Sequence, residues 1–143
     1  GRVRAENPEI ETVFHRAIDV VPDVFAALDT LTALGVTRVL TSGQRASAPQ
    51  GAETIRKMLA HAAGRIDILP GGGINAGNVR GFIAETGVKS VHASARSLRR
   101  DTSVCGNPEI FFGGKIDGRG VPEDEYKVTD SALVGAVVRA IEG

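Results

Sequence analysis

The chain has 143 residues, and its 17 Lys and Arg balance 17 Asp and Glu, so the formal net charge is zero. This balance excludes the strongly basic surfaces that drive binding to nucleic acid or to anionic membranes, and we expect neither partner. The composition, 42% hydrophobic and 24% charged, is that of an ordinary globular protein, and it predicts a single domain over residues 1–143.

Four short runs rich in β-branched and apolar residues predict strands. They lie at residues 11–16, 37–42, 65–70 and 89–93. Each is followed by a polar or glycine-rich turn and then by apolar residues at helical spacing. The sequence therefore predicts four successive strand–helix units.

Helix boundaries are indicated by residues with defined backbone preferences. Pro22 suits the first turn of the first helix, Asn75 is a candidate N-cap of the third, and the fourth opens near Thr129-Asp130. Glycines suited to a left-handed cap follow the first three helices: Gly35, Gly64 and Gly87.

Successive strand–helix units produce parallel strands. We therefore predict an α/β fold that is TIM-barrel-like, with four consecutive βα units forming half of a (β/α)8 barrel. A complete barrel takes about 250 residues, and an open doubly wound sheet is the alternative. Residues 94–128 are predicted to be a long loop before the last helix, and whether the loop is ordered stays open.

A glycine-rich turn follows the third predicted strand. Residues 71–76 (GGGINA) match the dinucleotide-binding pattern, but the strand after them ends without the acidic residue that a ribose requires. Glycines here, with Ser94-Ala95-Arg96 after the fourth strand, favour an anion site built from backbone N–H groups. The alternative is a turn that merely reverses the chain. The candidate ligand-binding residues are Thr41, Ser42, Gln44, Gly71, Gly72, Gly73, Ser94 and Arg96.

Four separated motifs also occur in register: residues 13–19 (VFHRAID), 38–44 (RVLTSGQ), 69–74 (LPGGGI) and 91–96 (VHASAR). In this order and spacing they resemble the CutC family of copper homeostasis proteins. The resemblance implies a TIM-barrel-like fold, a cytoplasmic location and a role in copper tolerance or trafficking. It also implies that the chain corresponds to the C-terminal half of such a barrel.

The carboxyl ends of parallel strands are where such folds place their active sites. His15, Arg16, Asp19 and His92 lie at predicted strand ends and are candidate catalytic residues. Each has a structural alternative, since a histidine can simply be hydrogen-bonded and Arg16 with Asp19 can form a salt bridge that shapes the loop. No lysine or carboxylate pair lies at a strand end, so the catalytic residues and any enzymatic activity stay unassigned.

Copper is implied by the resemblance and not by the residues themselves. Cu(I) prefers thiolate and thioether ligands, and the chain offers Cys105 and Met58. Met58 is predicted to be core packing, which leaves Cys105 as the candidate metal ligand. The partners we expect are thus a copper ion or, if the chain is a TIM-barrel enzyme or binding protein, a small anionic metabolite. The exposed edge strands of a half-barrel further predict a homo-oligomer, and a single cysteine favours the cytoplasm.

Overall fold

A computed structural model describes residues 6–7, 9–102, 115–116, 119–120 and 124–143. The strands are β1 (Val13–Phe14), β2 (Arg38–Thr41), β3 (Asp67–Pro70), β4 (Arg96–Arg100), β5 (Lys115–Ile116), β6 (Arg119–Gly120) and β7 (Glu125–Thr129). The helices are a 3₁₀ helix (Arg16–Val20), α1 (Val24–Ala33), α2 (Ala52–Ala62), α3 (Val79–Thr86) and α4 (Ser131–Glu142).

The first three strands form a parallel sheet in the order β1-β2-β3. Phe14 lies opposite Val39, and Val39 lies opposite Ile68. A helix separates each pair of neighbouring strands along the chain, as parallel pairing requires. The predicted α/β fold with parallel strands is therefore confirmed.

The fourth predicted strand, at residues 89–93, is reduced to one parallel bridge between Gly71 and His92. Within the described ranges the parallel sheet thus has three strands, not four. The N–H groups of Asp67 and Gly71 donate to the carbonyls of Thr37 and Thr41, on the β2 side. N–H directions alternate along a strand, so the backbone groups of Pro70 point toward the fourth predicted strand, residues 89–93. Proline has no N–H to donate to that strand. The carbonyl of Pro70 still accepts from the His92 N–H, at 2.8 Å.

The core lies between the sheet and the helices. Its largest members are Ile18, Val24, Leu28, Leu31, Val39, Ile55, Met58, Ile68, Val79 and Phe82. Met58 has no exposed surface, which confirms its prediction as core packing. The helices present these residues at intervals of three and four positions, so that one stripe of each faces the sheet.

Helix ends follow the local sequence closely. Gly35, Gly64 and Gly87 all have left-handed backbones, as predicted. Asp23 rather than Pro22 marks the start of α1, because its carboxylate accepts from the N–H groups of Phe25 and Ala26. The N-cap of α3 is Asn78, whereas the sequence predicted Asn75. The N-cap of α4 is Asp130, as predicted.

Residues 94–128, predicted as a loop, contain strands at both ends. β4 and β7 pair antiparallel, with Leu98 opposite Lys127, and β5 pairs with β6. Both β4 and β7 are largely exposed, so neither carries the apolar alternation that marks a half-buried strand. None of the helices in the described ranges combines the length and apolar character that a transmembrane segment requires.

Candidate functional site

Asp19 is the centre of a polar network at the carboxyl ends of β1 and β2. Its carboxylate accepts from the Thr41 hydroxyl at 2.6 Å, from the Ser42 N–H at 3.0 Å and from the Gln44 N–H at 3.2 Å. The side chain of Asp19 is only 7% exposed. A buried carboxylate is stable only when its oxygens are hydrogen-bonded, and here each oxygen has more than one donor.

This hydrogen bonding sets the ionisation of Asp19. Burial by itself would raise the pKa of Asp19, but the hydrogen bonds from Thr41, Arg16 and Ser42 outweigh it and lower the pKa below 3.8. Asp19 is therefore a carboxylate at neutral pH. A permanently ionised, fully bonded carboxylate is suited to holding its neighbours in place and poorly suited to accepting a proton.

The neighbours that Asp19 holds are residues of the β2 turn and Arg16. Thr41 and Ser42 are fully buried. Gln44 has a left-handed backbone, with φ of 58°, and its side-chain amide donates to the Val21 carbonyl at 2.7 Å. The turn after β2 is thus fastened to the segment after β1 through side chains and backbone together.

Arg16 forms the predicted salt bridge, with its Nε 2.8 Å from the Asp19 carboxylate. Its Nη2 donates to the Ser42 hydroxyl. The guanidinium also lies against the turn after β3, because a Cβ on Gly72 would stand 3.2 Å from Nη1 of Arg16. Arg16 thereby joins the carboxyl ends of all three parallel strands.

A cavity of ≈ 510 Å³ opens on the other side of the glycine turn. Its lining comes from the turn after β3, from the segment leading into β4, from β7 and from α4: Gly72, Gly73, Ile74, Asn75, Ala76, His92, Ser94, Ala95, Arg96, Lys127, Leu133 and Val137. Arg96 and Lys127 supply positive charge, and His92 and Ser94 supply polar groups. Side chains of these kinds can form hydrogen bonds to an anion.

The glycine turn packs closely against its own neighbours, since a Cβ on Gly73 would lie 3.0 Å from the Cβ of Ser47. Gly72 and Gly73 have φ of 97° and 78°, which residues with a Cβ rarely adopt. The Gly73 carbonyl accepts from the Asn78 side-chain amide at 2.8 Å. This bond turns one peptide oxygen of the turn toward α3 and fixes the orientation of the loop beside the cavity.

The predicted site residues thus fall into two groups. Gly72, Gly73, Ser94, Arg96 and His92 line the cavity. Thr41, Ser42 and Gln44, predicted to bind a ligand, instead belong with Arg16 and Asp19 to the polar network beneath it. Gly71 is buried beside His92, where a Cβ would stand 3.2 Å from that of the histidine.

His15 lies apart from the cavity. Its Nδ1 accepts from the Ala17 N–H at 3.1 Å, and its ring stacks on Phe14 with centroids 5.1 Å apart. It acts as the N-cap of the 3₁₀ helix. The sequence left both a catalytic and a structural role open for His15, and these contacts are those of a structural residue.

Sequence reasoning missed Lys127, Leu133 and Val137, which reach the cavity from β7 and α4. Residues 125–129 (EYKVT) include β-formers, which is weak evidence for a strand. Their partner strand lies about 30 residues earlier, so the pairing could not be predicted from neighbouring residues.

The described residues do not fit a copper site. They contain no group of three His, Cys, Asp or Glu side chains placed to hold a metal ion. Met58 is buried in the core. Cys105, the candidate metal ligand, lies outside the described residues. The described residues therefore support no chemical step at a bound copper ion.

Comparison with known proteins relates the chain to a protein family. A model of the CutC family matches residues 3–97. A CutC family protein of Treponema denticola is 47% identical over 131 residues, which are 92% of this chain and 52% of that protein. A human protein named copper homeostasis protein cutC homolog is 40% identical over 125 residues, 87% of this chain and 45% of that one.

A solved structure agrees with these relatives. The crystal structure of a CutC protein from Streptococcus agalactiae superposes with a TM-score of 0.58 at 35% identity, covering 64% of this chain and 45% of that chain. The chain thus spans about half the length of the curated relatives it matches.

Proposed function

This chain belongs to the CutC family, and from that membership we propose that the protein acts in copper homeostasis. The observation that carries the proposal is the family match over residues 3–97, together with a human relative that bears this function in its name. The parallel order of three strand–helix units, with the single Gly71–His92 bridge where a fourth strand is predicted, supports a further step, in which the chain contributes four βα units to a TIM-type barrel. We place this role in the cytoplasm, because the chain has one cysteine and so no internal disulfide.

The role in copper homeostasis is tested in cells. Removal of the whole protein should change copper tolerance and total cellular copper, and re-expression should restore both. Unaltered tolerance and copper content would contradict the proposal. Fractionation of the same cells tests the cytoplasmic location.

Direct copper binding by this chain is tested by an anaerobic Cu(I) titration against a chromogenic chelator. Cu(I) prefers thiolate, and Cys105 is the only thiol in the sequence. Binding by this chain should therefore be lost in Cys105→Ser and kept in Met58→Leu, which changes a buried thioether. A chain that never competes with the chelator would mean that copper is handled outside these 143 residues.

The cavity supports a second function, the binding of a small anion such as a phosphorylated metabolite. Arg96 and Lys127 line the cavity beside a glycine turn whose backbone can approach a ligand closely. Whether catalysis accompanies binding is a separate question, for which His92 is the nearest candidate acid or base in the lining.

Anion binding is tested by titrating inorganic phosphate. Arg96→Gln should weaken binding about tenfold, because a charge-assisted hydrogen bond contributes roughly 1.5–3 kcal/mol. Arg99→Gln is the matched control, since Arg99 lies on the same strand outside the cavity lining. Equal phosphate affinity in wild type and Arg96→Gln would overturn the anion site.

We also propose that this chain assembles with a second copy of itself. Leu133, Val134, Val138 and Ile141 of α4 are exposed, although they are apolar. In sedimentation velocity, Val138→Glu should weaken self-association while Val20→Glu, at another exposed valine, should not. A monomer at every concentration would contradict this.

A further inference from the structure

One apolar residue on the inner side of α4 is left uncovered by the rest of the chain. Leu133, Val137 and Ala140 recur at intervals of four and three residues, so they lie along one side of the helix. Val137 and Ala140 pack against the hydrophobic core. Leu133, at the start of the same stripe, is 42% exposed and lines the cavity. Covering this side chain with an apolar group would lower the free energy of the complex.

The remaining exposed apolar residues of α4 differ from Leu133 in position. Val134, Val138 and Ile141 also recur at intervals of four and three residues, but along another side of the helix. None of these three lines the cavity. Val134 is 41% exposed, nearly the same as Leu133, so the two neighbours separate the effect of the cavity from the effect of exposure.

The segment that leads into β4 gives the cavity a wall of the opposite character. His92, Ser94 and Arg96 all contribute to the lining. An imidazole, a hydroxyl and a guanidinium can each donate a hydrogen bond to an anion, and the guanidinium adds charge. Lys127 also lines the cavity and already interacts within the chain, so the anion contacts expected here are those of residues 92–96.

The polar wall and the apolar wall are joined at Ala95. The backbone of Ala95 is left-handed, with φ of 43°, which is uncommon for a residue with a Cβ. Its carbonyl accepts from the N–H of Asp130, the N-cap of α4, at 2.8 Å. Leu133 follows Asp130 by about one helical turn. The bond therefore holds Ser94 and Arg96 close to the start of the apolar stripe, within the span of one small molecule.

The cavity is larger than an inorganic anion requires. Its volume of ≈ 510 Å³ falls within the range of about 300–1,000 Å³ that is typical of sites for organic molecules. Ile74 and Ala76, from the turn after β3, add apolar surface to that of Leu133 and Val137. A bare phosphate bound by residues 92–96 would leave this apolar surface uncovered.

We propose that the ligand of the cavity is a phosphate monoester whose organic group is apolar. His92, Ser94 and Arg96 bind the phosphate, and Leu133 and Val137 cover the organic group. The inference rests on the anion-binding function proposed for the cavity and adds the chemical class of the ligand. A phosphorylated polyol of the same size binds less well, because hydroxyl groups placed against Leu133 and Val137 lose water without gaining a hydrogen bond.

Two probes with the same carbon skeleton test the class of ligand. Glycerol 3-phosphate is n-propyl phosphate with two added hydroxyl groups. Calorimetric titration of the wild-type chain should show about tenfold tighter binding of n-propyl phosphate, since burying a hydroxyl without a partner costs free energy. Methyl phosphate should also bind about tenfold more weakly than n-propyl phosphate, because each buried methylene contributes roughly three- to fourfold in affinity. Neither comparison depends on whether a variant folds.

Variants then place the organic group against α4. Leu133→Asn should reduce the preference for n-propyl phosphate over glycerol 3-phosphate to about twofold and leave methyl phosphate affinity within about twofold. Leu133→Met should keep the preference, because methionine is apolar and of similar volume. Val134→Asn is the matched control and should change none of the three affinities. Arg96→Gln should weaken all three probes by a similar factor, since they share the phosphate.

The outcomes separate this inference from the function on which it rests. Methyl phosphate binding without any gain for n-propyl phosphate would overturn the apolar ligand class while the anion site stands. A preference for n-propyl phosphate that is unchanged in Leu133→Asn, or lost equally in Val134→Asn, would overturn the role of Leu133. Binding of none of the three probes would overturn the anion site and this inference together.

Discussion

The parallel part of the molecule, residues 12–93, and the part that follows it bury their apolar residues to different extents. In the first, Leu28 is 1% exposed and Ile18, Ile55 and Met58 are fully covered. In the second, no residue of α4 is buried anywhere along the described helix. Only Val137 and Ala140 of α4 pack against the core.

The difference shows how the two parts gain their stability. The parallel part encloses its own core, so its stability comes from burial of apolar surface. Among the described residues, the second part consists of two two-stranded antiparallel ladders and one helix, an arrangement that buries little by itself. It is held by packing against the first part, where its residues complete the wall of the cavity.

The largest expected effect is on a buried leucine. Leu28→Ala should lower the free energy of unfolding by about 3–5 kcal/mol, because it removes buried methyl groups and leaves a cavity in the core. Leu133→Ala, the same change at a helical leucine that is 42% exposed, should cost less than about 1 kcal/mol. Urea unfolding measures both, and equal losses would remove the contrast between the two parts.

Asp19 gives the next largest effect. Asp19→Asn should cost about 2 kcal/mol, since it removes a charge that several buried donors share. Asp130→Asn is the matched control in the second part, and it should leave the free energy of unfolding nearly unchanged because Asn caps a helix as well as Asp does.

The loss at Asp19 should depend on pH. Its pKa is lowered in the folded chain, so its contribution is complete above the unfolded value of 3.8 and is lost as the pH falls through the lowered folded value. Wild type and Asp19→Asn should therefore converge in stability below pH 3.8, and a gap that stays constant into strong acid would contradict the role of the carboxylate.

Two glycines provide a contrast in the sign of the stability change. Gly51→Ala should destabilise the chain by about 1–3 kcal/mol, because a Cβ would lie 2.0 Å from the Ser42 carbonyl oxygen and force the turn after β2 to move. Gly135→Ala in α4 should instead stabilise by about 0.5–1 kcal/mol, since Ala is the better helix former. The nearest atom to the new Cβ is 3.1 Å away, on the flexible Arg139 side chain. Thermal unfolding of both variants gives the signs, and destabilisation by Gly135→Ala would show that α4 is packed more tightly than described.

The sequence predicted which residues belong to the candidate site better than it predicted how they are arranged. Gly72, Gly73, Ser94 and Arg96 were expected to lie together, and a salt bridge between Arg16 and Asp19 was one of two roles left open for that pair. The sequence could not decide whether Thr41, Ser42 and Gln44 bond a ligand or the chain itself, because a hydroxyl or amide at a strand end serves a ligand and a buried carboxylate equally well. Which one it serves depends on where Asp19 lies after the chain has folded.

The sequence by itself determined the first three strand–helix units, the glycines that end their helices and the family resemblance. These follow from near neighbours, such as apolar spacing within one element and glycines at Gly35, Gly64 and Gly87. The tertiary structure alone decided that β4 pairs with β7, that the fourth parallel segment keeps a single bridge, and that Lys127 reaches the cavity. Such pairings join residues far apart in the chain, and their energy comes from contacts that no local pattern records.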